Sequence, residues 1–307
     1  MPHIPVLVKE VLESLNPQPN QNFVDCTLGD GGHAIKILER IAPEGRLLGI
    51  DWDPAAIAEV KSQKSKVKSF ERLILVNDNF KNLASIVAEN DFKPVHGVLL
   101  DLGFSSSTLE RNRGFSFEKD EPLDMRFNPK EELSAAAIVN SWSKDQIAAV
   151  LREYGEERLF DEIARAIIEE RKKNRILTSK HLAQVVIEAY RRKLRSQKEI
   201  PWIGGLHPAT RVFQALRLVV NNELMNLQEV LPKAVEILAP GGRLAVISFH
   251  SLEDRIVKIF SRDEDEKSLD IINKKPIIAS PEEVIANPRA RSAKMRVMER
   301  LIEPGRE

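Results

Sequence analysis

The sequence predicts an α/β protein: a mostly parallel sheet with an inserted all-helical domain. Three observations predict it. Short apolar runs alternate with amphipathic stretches over the first hundred residues, which is the pattern of βαβ units. The first apolar run, Asn22–Leu28, feeds directly into a glycine turn and then a helical stretch, as in folds that bind a nucleotide at the carboxyl end of a strand. The fourth and fifth apolar runs are separated by more than a hundred residues that read mostly as helix, far longer than an ordinary crossover.

The elements follow in order. Strands are expected at Asn22–Leu28, Arg46–Asp51, Leu73–Asn77, Gly97–Leu102 and Arg243–Phe249, where apolar runs end in turn residues. Helices are expected after the first three, at Gly32–Ile41, Pro54–Lys64 and Phe80–Glu89. Pro54 suits a first helical turn and Asp53 a cap before it. The long gap predicts helices at Ser134–Val139, Ser143–Tyr154, Arg158–Lys172 and Ser179–Lys193, with Ser143 and Gln146 spaced as a capping box. Residues 109–204 are therefore read as the inserted domain, and residues 1–108 with 205–307 as the sheet domain. Helices Ala209–Asn221 and Glu223–Leu238 lead back to the fifth strand. Extended stretches at Ile271–Ile278 and Lys294–Leu301 finish the sheet with an antiparallel edge.

The bulk numbers fit an ordinary globular chain: 42% hydrophobic and 30% charged residues, with a formal net charge of +0. A field spread over the whole protein is thus excluded as a way of holding nucleic acid, and local patches are left. The single cysteine, Cys26, excludes an intrachain disulfide and reads as a buried, inert thiol in a strand. No apolar run reaches the length of a membrane span. Met1 to Leu12 lacks the basic start and apolar middle of a signal peptide. A cytoplasmic location is expected.

The candidate site lies at the glycine turn Leu28-Gly29-Asp30-Gly31-Gly32-His33. Glycines there let the backbone approach a ligand and turn sharply. Asp51, twenty residues beyond Gly31, ends the second strand, where an acid can bind both ribose hydroxyls of an adenosine. Gly29, Gly31 and Ala34 also fit the dinucleotide fingerprint G-x-G-x-x-A, so NAD is a rival ligand. Asp25, Asp30 and Asp101 argue against it, because clustered carboxylates repel a pyrophosphate. They favour S-adenosylmethionine, which carries a sulfonium and an ammonium and no phosphate. Nothing stands at metal-ligand spacing.

These residues belong to a longer series: His3-Ile4-Pro5-Val6-Leu7, Asp25 through His33, Gly49-Ile50-Asp51-Trp52-Asp53-Pro54, Leu99-Leu100-Asp101-Leu102-Gly103, Arg113-Gly114-Phe115-Ser116-Phe117, Pro122-Leu123-Asp124-Met125-Arg126, Tyr154-Gly155-Glu156-Glu157-Arg158, His207 through Ala215, Ile247 through Arg255, and Asn287-Pro288-Arg289-Ala290-Arg291-Ser292. With these blocks in order over nearly the whole chain, the sequence resembles the MraW-type ribosomal RNA small-subunit methyltransferase H family. The resemblance implies a class I, Rossmann-like methyltransferase fold with a helical insertion that recognises substrate. It implies S-adenosyl-L-methionine as cofactor, held by Gly31, Gly32, His33, Asp51, Phe80 and Asp101. It implies methyl transfer to a cytidine N4 in 16S ribosomal RNA, in the decoding region and within the small ribosomal subunit. The family's Ser-Ser-Pro-Gln turn reads Ser105-Ser106-Ser107-Thr108 here, which leaves Thr108 unassigned.

Read from the residues alone, several roles stay open. His33 is either a ligand or a helix-start surface histidine, and Phe80 either stacks on adenine or packs in the core. Asp101 is the candidate catalytic residue. Either it only orients the cofactor, or it also accepts a hydrogen bond from N4, with the hydroxyls of Ser105 and Ser106 on the same loop. The Asp/Asn-Pro-Pro-aromatic motif of many amine methyltransferases is replaced by Asp101-Leu102-Gly103-Phe104, where Phe104 either stacks on the base or fills the core. Arg211, Gln214 and Arg217 share one helix face, as pocket lining or as a solvated face. His250 and Asp254 either face the crevice or cap the next helix. Residues 161–200 hold eleven Lys/Arg against six Asp/Glu, including Arg171-Lys172-Lys173 and Arg191-Arg192-Lys193. Arg289, Arg291, Lys294, Arg296 and Arg300 form a second basic group. Both groups are candidates for phosphate contact.

Overall fold

A computed structural model describes residues 4–63, 68–104, 106–195 and 207–302. Two compact units result: Met1–Ser107 with Leu224–Glu307, and Thr108–Glu223.

The first unit is built on one sheet. Its strands are β1 (Phe23–Asp25), β2 (Leu47–Asp51), β3 (Leu73–Asn77), β4 (Val95–Asp101), β5 (Leu238–Ser248), β6 (Leu269–Ile271), β7 (Ile277–Ile278) and β8 (Lys294–Arg300). The order is β3-β2-β1-β4-β5-β8-β6, with β7 also paired to β8. β1 through β5 are parallel, and β8 is antiparallel to β5, β6 and β7. The expected parallel sheet with an antiparallel edge is what forms. Alternate residues of the central strands face opposite cores, as a period of two dictates. Val24, Leu48, Val98, Leu100 and Val246 point to one, which is completed by the helices Leu83–Glu89 and Glu223–Ile237. Phe23, Leu47, Leu99, Ala245 and Ile247 point to the other, beneath the helices Val8–Leu15 and Gly32–Arg40. Burial on both faces explains why these strands read as continuous apolar runs.

Three expectations change. The stretch Ile271–Ile278 is two short strands, because Asn273 interrupts it. The Asn273 side chain accepts from Val297 N at 2.7 Å and donates to Met295 O at 3.2 Å, taking the place of ladder bonds. Pro276, without an N–H, separates it from β7. The helix Phe80–Glu89 begins as a 3-10 turn, Phe80–Asn82, capped by the Asn79 side chain accepting from Lys81 N. Helices Val8–Leu15 and Pro281–Ala286 are additional. Asp53 does cap the helix Pro54–Gln63, accepting from Ala55 N at 3.0 Å.

The second unit is helical: Ala135–Ser141, Lys144–Glu153, Phe160–Arg171, Ser179–Leu194 and Ala209–Val220. Ser143 and Gln146 form the expected capping box, and Ser134 and Thr178 cap their helices. Ile138, Leu151, Ile167, Val186 and Leu216 meet in its core, each worth about 1.5–3 kcal/mol when fully buried. The expected boundary at 204 lies outside the described residues, and the division it made is corrected. Ala209–Val220 buries Val212, Phe213 and Leu216 in this unit rather than in the sheet unit. Asn221 then locks the helix end, accepting from Phe127 N and donating to Met125 O.

Candidate active site

β1 ends at Asp25, and the chain turns through Gly29 (φ 52°) and Gly31 (φ 79°) into the helix Gly32–Arg40. Both angles are left-handed, where a Cβ is costly. Gly32 is required for a different reason: a Cβ there would lie 2.8 Å from Pro5 Cγ. The N-terminal segment thus packs against the start of this helix. It is held further by Leu7 N donating to Glu283 Oε1 at 2.7 Å and Asn287 Nδ2 donating to Ile4 O at 3.0 Å.

Asp51, at the end of β2, accepts from Gly29 N through Oδ2 and from Asp53 N through Oδ1, each at 2.8 Å. One carboxylate therefore joins the glycine turn to the neighbouring strand end, and it stays only partly buried. Asp101 ends β4, next to β1 in the sheet. Its backbone N donates to Thr27 Oγ1 at 2.7 Å, a support that the sequence reading missed. His33 is buried in the first turn of the helix, and its Nε2 stands 3.5 Å from Asp101 Oδ2. That is ion-pair distance and too long for a good hydrogen bond. Both His33 Nε2 and Asp101 Oδ1 are buried with no hydrogen-bond partner. A surface histidine at position 33 is thereby excluded.

Asp25 completes the cluster. It is 1% exposed and accepts from Thr27 N at 3.1 Å. Burial pushes its pKa up to about 6, with His33 and the Thr27 bond opposing and Asp101 and Asp51 assisting. Burial works against the His33 imidazolium, but Asp101, Asp25 and Glu283 outweigh it and hold the histidine above its usual value. Burial also pushes the Cys26 thiol up, leaving it inert. Buried acceptors around one imidazole suit a ligand that brings an ammonium and a carboxylate, and they oppose a pyrophosphate.

Other candidates fall in varied places. Phe80 is partly buried, opens the turn after β3 and packs one side on the core. Ser105 lies outside the described residues, as does the Ser106 side chain, and Ser107 Oγ donates to Asp30 Oδ1. Phe104 is partly buried, and Thr108 is buried. His250 caps the helix Ser251–Glu264 in a capping box with Glu253. Asp254 pairs with Arg296 at 2.7 Å. In the helical unit, Arg211 donates to Glu156 O, Gln214 to Tyr154 O, and Arg217 grips Glu223 through two bonds of 2.8 and 3.0 Å. These three tie their own unit together and are not a bare solvated face. Arg171 likewise donates to Val139 O and Trp142 O, and Arg300 to Glu236 O and Leu238 O. Arg171, Arg296 and Arg300 therefore have internal work that the basic runs did not reveal. Among the described residues no cluster of His, Cys, Asp and Glu could hold a metal, and no helix is long and apolar enough to cross a membrane.

The family model described as the MraW methylase family matches residues 1–301. The chain belongs to the MraW methylase family. Among curated relatives, the ribosomal RNA small subunit methyltransferase H of Dehalococcoides mccartyi is 46% identical, aligning 99% of this chain with 88% of that one. The proteins of the same name from Heliobacterium modesticaldum and Persephonella marina are each 44% identical over 97% of this chain, covering 98% and 99% of their own lengths. The alignments to these relatives run through both compact units, the glycine turn and the helical unit alike.

Proposed function

We propose that this MraW methylase transfers a methyl group from S-adenosyl-L-methionine to the N4 amine of a cytidine in small-subunit (16S) ribosomal RNA, in the decoding region, acting in the cytoplasm. One observation carries the site: Asp101 Oδ1 and His33 Nε2 are buried without partners beside a glycine turn. Buried polar atoms left this way cost about 1–3 kcal/mol each unless a ligand pairs them. S-adenosylmethionine brings the groups that fit. Asp101 accepts from its ammonium, His33 faces its carboxylate, and Asp51 takes the ribose hydroxyls. Phe80 offers a face to adenine, while Gly31 and Gly32 let the backbone come close.

When bound, the cofactor supplies an electrophilic methyl on a sulfonium. The chain's own residues hold the reactants in line, an effect that reaches about 7–11 kcal/mol where the orientation is good. N4 is a poor nucleophile because its lone pair is delocalised into the ring. Asp101 is the candidate acceptor for an N4 proton, which would localise that pair. The two units divide the work, the sheet unit holding the cofactor and the helical unit the RNA. The relatives' name, ribosomal RNA small subunit methyltransferase H, supports that substrate.

The test is labelled-methyl transfer to small subunits from cells lacking this activity, followed by nucleoside analysis. N4-methylcytidine is expected. Label in another nucleoside, or none, overturns the reading. Calorimetry with S-adenosylmethionine and NADH checks the cofactor separately, and only the first is expected to bind.

A further inference from the structure

A cavity of about 250 Å³ lies at the start of the helix Ser251–Glu264. Phe249, His250 and Ser251 form one wall, and Arg291, Ser292 and Lys294 another. No carboxylate lines it. Four features bear on what it takes. The helix has fourteen residues, and with Glu253 N already capped by His250 it is the helix dipole that favours an anion at its start. Arg291 is exposed, leaving its guanidinium available for the two-pronged grip that such a group gives a phosphate. Lys294 keeps only a loose contact, 3.7 Å, with Asp254, whose charge Arg296 already meets at 2.7 Å. His250, with its side chain 10% exposed, has a buried Nε2 without a hydrogen-bond partner. Glu253 Oε1 stands 3.1 Å from that atom, at ion-pair distance, while Glu253 Oε2 accepts from Phe249 N at 2.8 Å.

The cavity touches the candidate active site through Phe249. A Cβ on Gly103 would lie 3.2 Å from the Phe249 ring, and Gly103 follows Asp101 by two residues. A group held here is one ring away from the loop that carries the candidate acceptor.

We propose that this cavity is a subsite for one backbone phosphate of the RNA substrate, held by Arg291, Lys294 and the start of the helix Ser251–Glu264. The proposal rests on the reading of the chain as an RNA methylase. It adds a fixed point for the strand beside the reacting base. Positioning of this kind belongs to phosphate contacts, while base contacts give sequence choice.

The test uses the full chain and a single-stranded fragment of small-subunit rRNA. Binding is measured against potassium chloride concentration for the wild type, Arg291→Gln, Lys294→Gln and Arg291→Lys. Removing one phosphate contact is expected to lower affinity about tenfold and to reduce the slope of log affinity against log salt by about one. Arg291→Lys should keep the slope. Affinity for S-adenosylmethionine, from calorimetry, should be the same in all four. An unchanged salt slope in both glutamine variants overturns the proposal. Inorganic phosphate alone separates the two sources of such an anion. If phosphate stabilises the wild type but not Arg291→Gln while the RNA slope is unchanged, the cavity serves free phosphate and the RNA subsite is overturned. Methylation is not read in these arms. A chain that holds RNA through Arg291 and leaves cytidine N4 unmodified overturns the proposed function alone.

Discussion

Asp51 satisfies two backbone amides, Gly29 N and Asp53 N, with one carboxylate. Asp51→Ala is therefore expected to act twice, lowering cofactor affinity by about 1–3 kcal/mol and stability by a similar amount, since two donors lose their acceptor. Calorimetry and denaturant unfolding read the two effects separately, and unchanged affinity in a folded variant would remove Asp51 from the site. Asp101→Asn keeps the volume but removes the charge facing His33. If Asp101 only binds, saturating cofactor restores most of the methylation rate. If it also accepts from N4, the single-turnover rate stays down on the order of a hundredfold at saturation. Binding is expected to dominate, and wild-type affinity with a wild-type rate would exclude both roles. Asp25 makes a pH prediction. Its carboxyl, raised from 3.8 to about 6, holds its proton more tightly in the folded chain. Its contribution to stability is full below 3.8 and is lost as pH rises through about 6. The same proton removes a negative charge beside His33, so affinity for a cationic cofactor should fall as pH drops through that value. Calorimetry between pH 5 and 8 checks this, and Asp25→Asn should flatten the profile.

At the scale of elements, the helix Gly32–Arg40 is positioned by contact with the N-terminal segment. Gly32→Ala forces a methyl to within 2.8 Å of Pro5 and is expected to cost about 1–3 kcal/mol, as overpacking does. Thermal unfolding measures the loss, and an unchanged midpoint would show that the segment yields freely. Such contacts also mark what a sequence can convey. β2 and β3 were legible to within a residue, because each is an apolar run closed by turn residues. β6 and β7 were not, because an asparagine side chain takes over ladder bonds between them. The apolar stripe of Ala209–Val220 announced a buried face without saying which core would bury it. In the site, the glycine turn and Asp51 were legible because they act through nearby backbone. The approach of His33 to Asp101 depends on the register of β1 against β4, where Asp25 sits beside Leu99. Local sequence carries no record of that pairing.

At the scale of the whole molecule, Arg191, Arg192 and Lys193 end the longest helix of the helical unit. Arg192 pairs with Glu169 and Lys193 with Glu162 on the surface. Such exposed pairs add little stability, so charge reversal at Arg192 and Lys193 should leave the fold intact, and Arg191, whose Nε is buried, is left in place. The double reversal is expected to weaken RNA binding and flatten its salt dependence without touching cofactor affinity. Filter binding across a salt series decides, and an unaltered slope would make the cluster a plain solvated surface. The paired ends of the chain carry a different consequence. Leu7 bonds to Glu283 and Ile4 to Asn287, across 276 and 283 residues, and β4 waits for β5, which comes after the whole of Thr108–Glu223. On the ribosome, the sheet must therefore idle half-built, with the flank of β4 open to wrong pairing, while the contiguous helical unit can already close. A nascent chain stalled just past Glu223 should resist protease across its helices and be cut readily in β1–β4. This order of assembly would make the last strand synthesised, β8, the step that commits the enzyme.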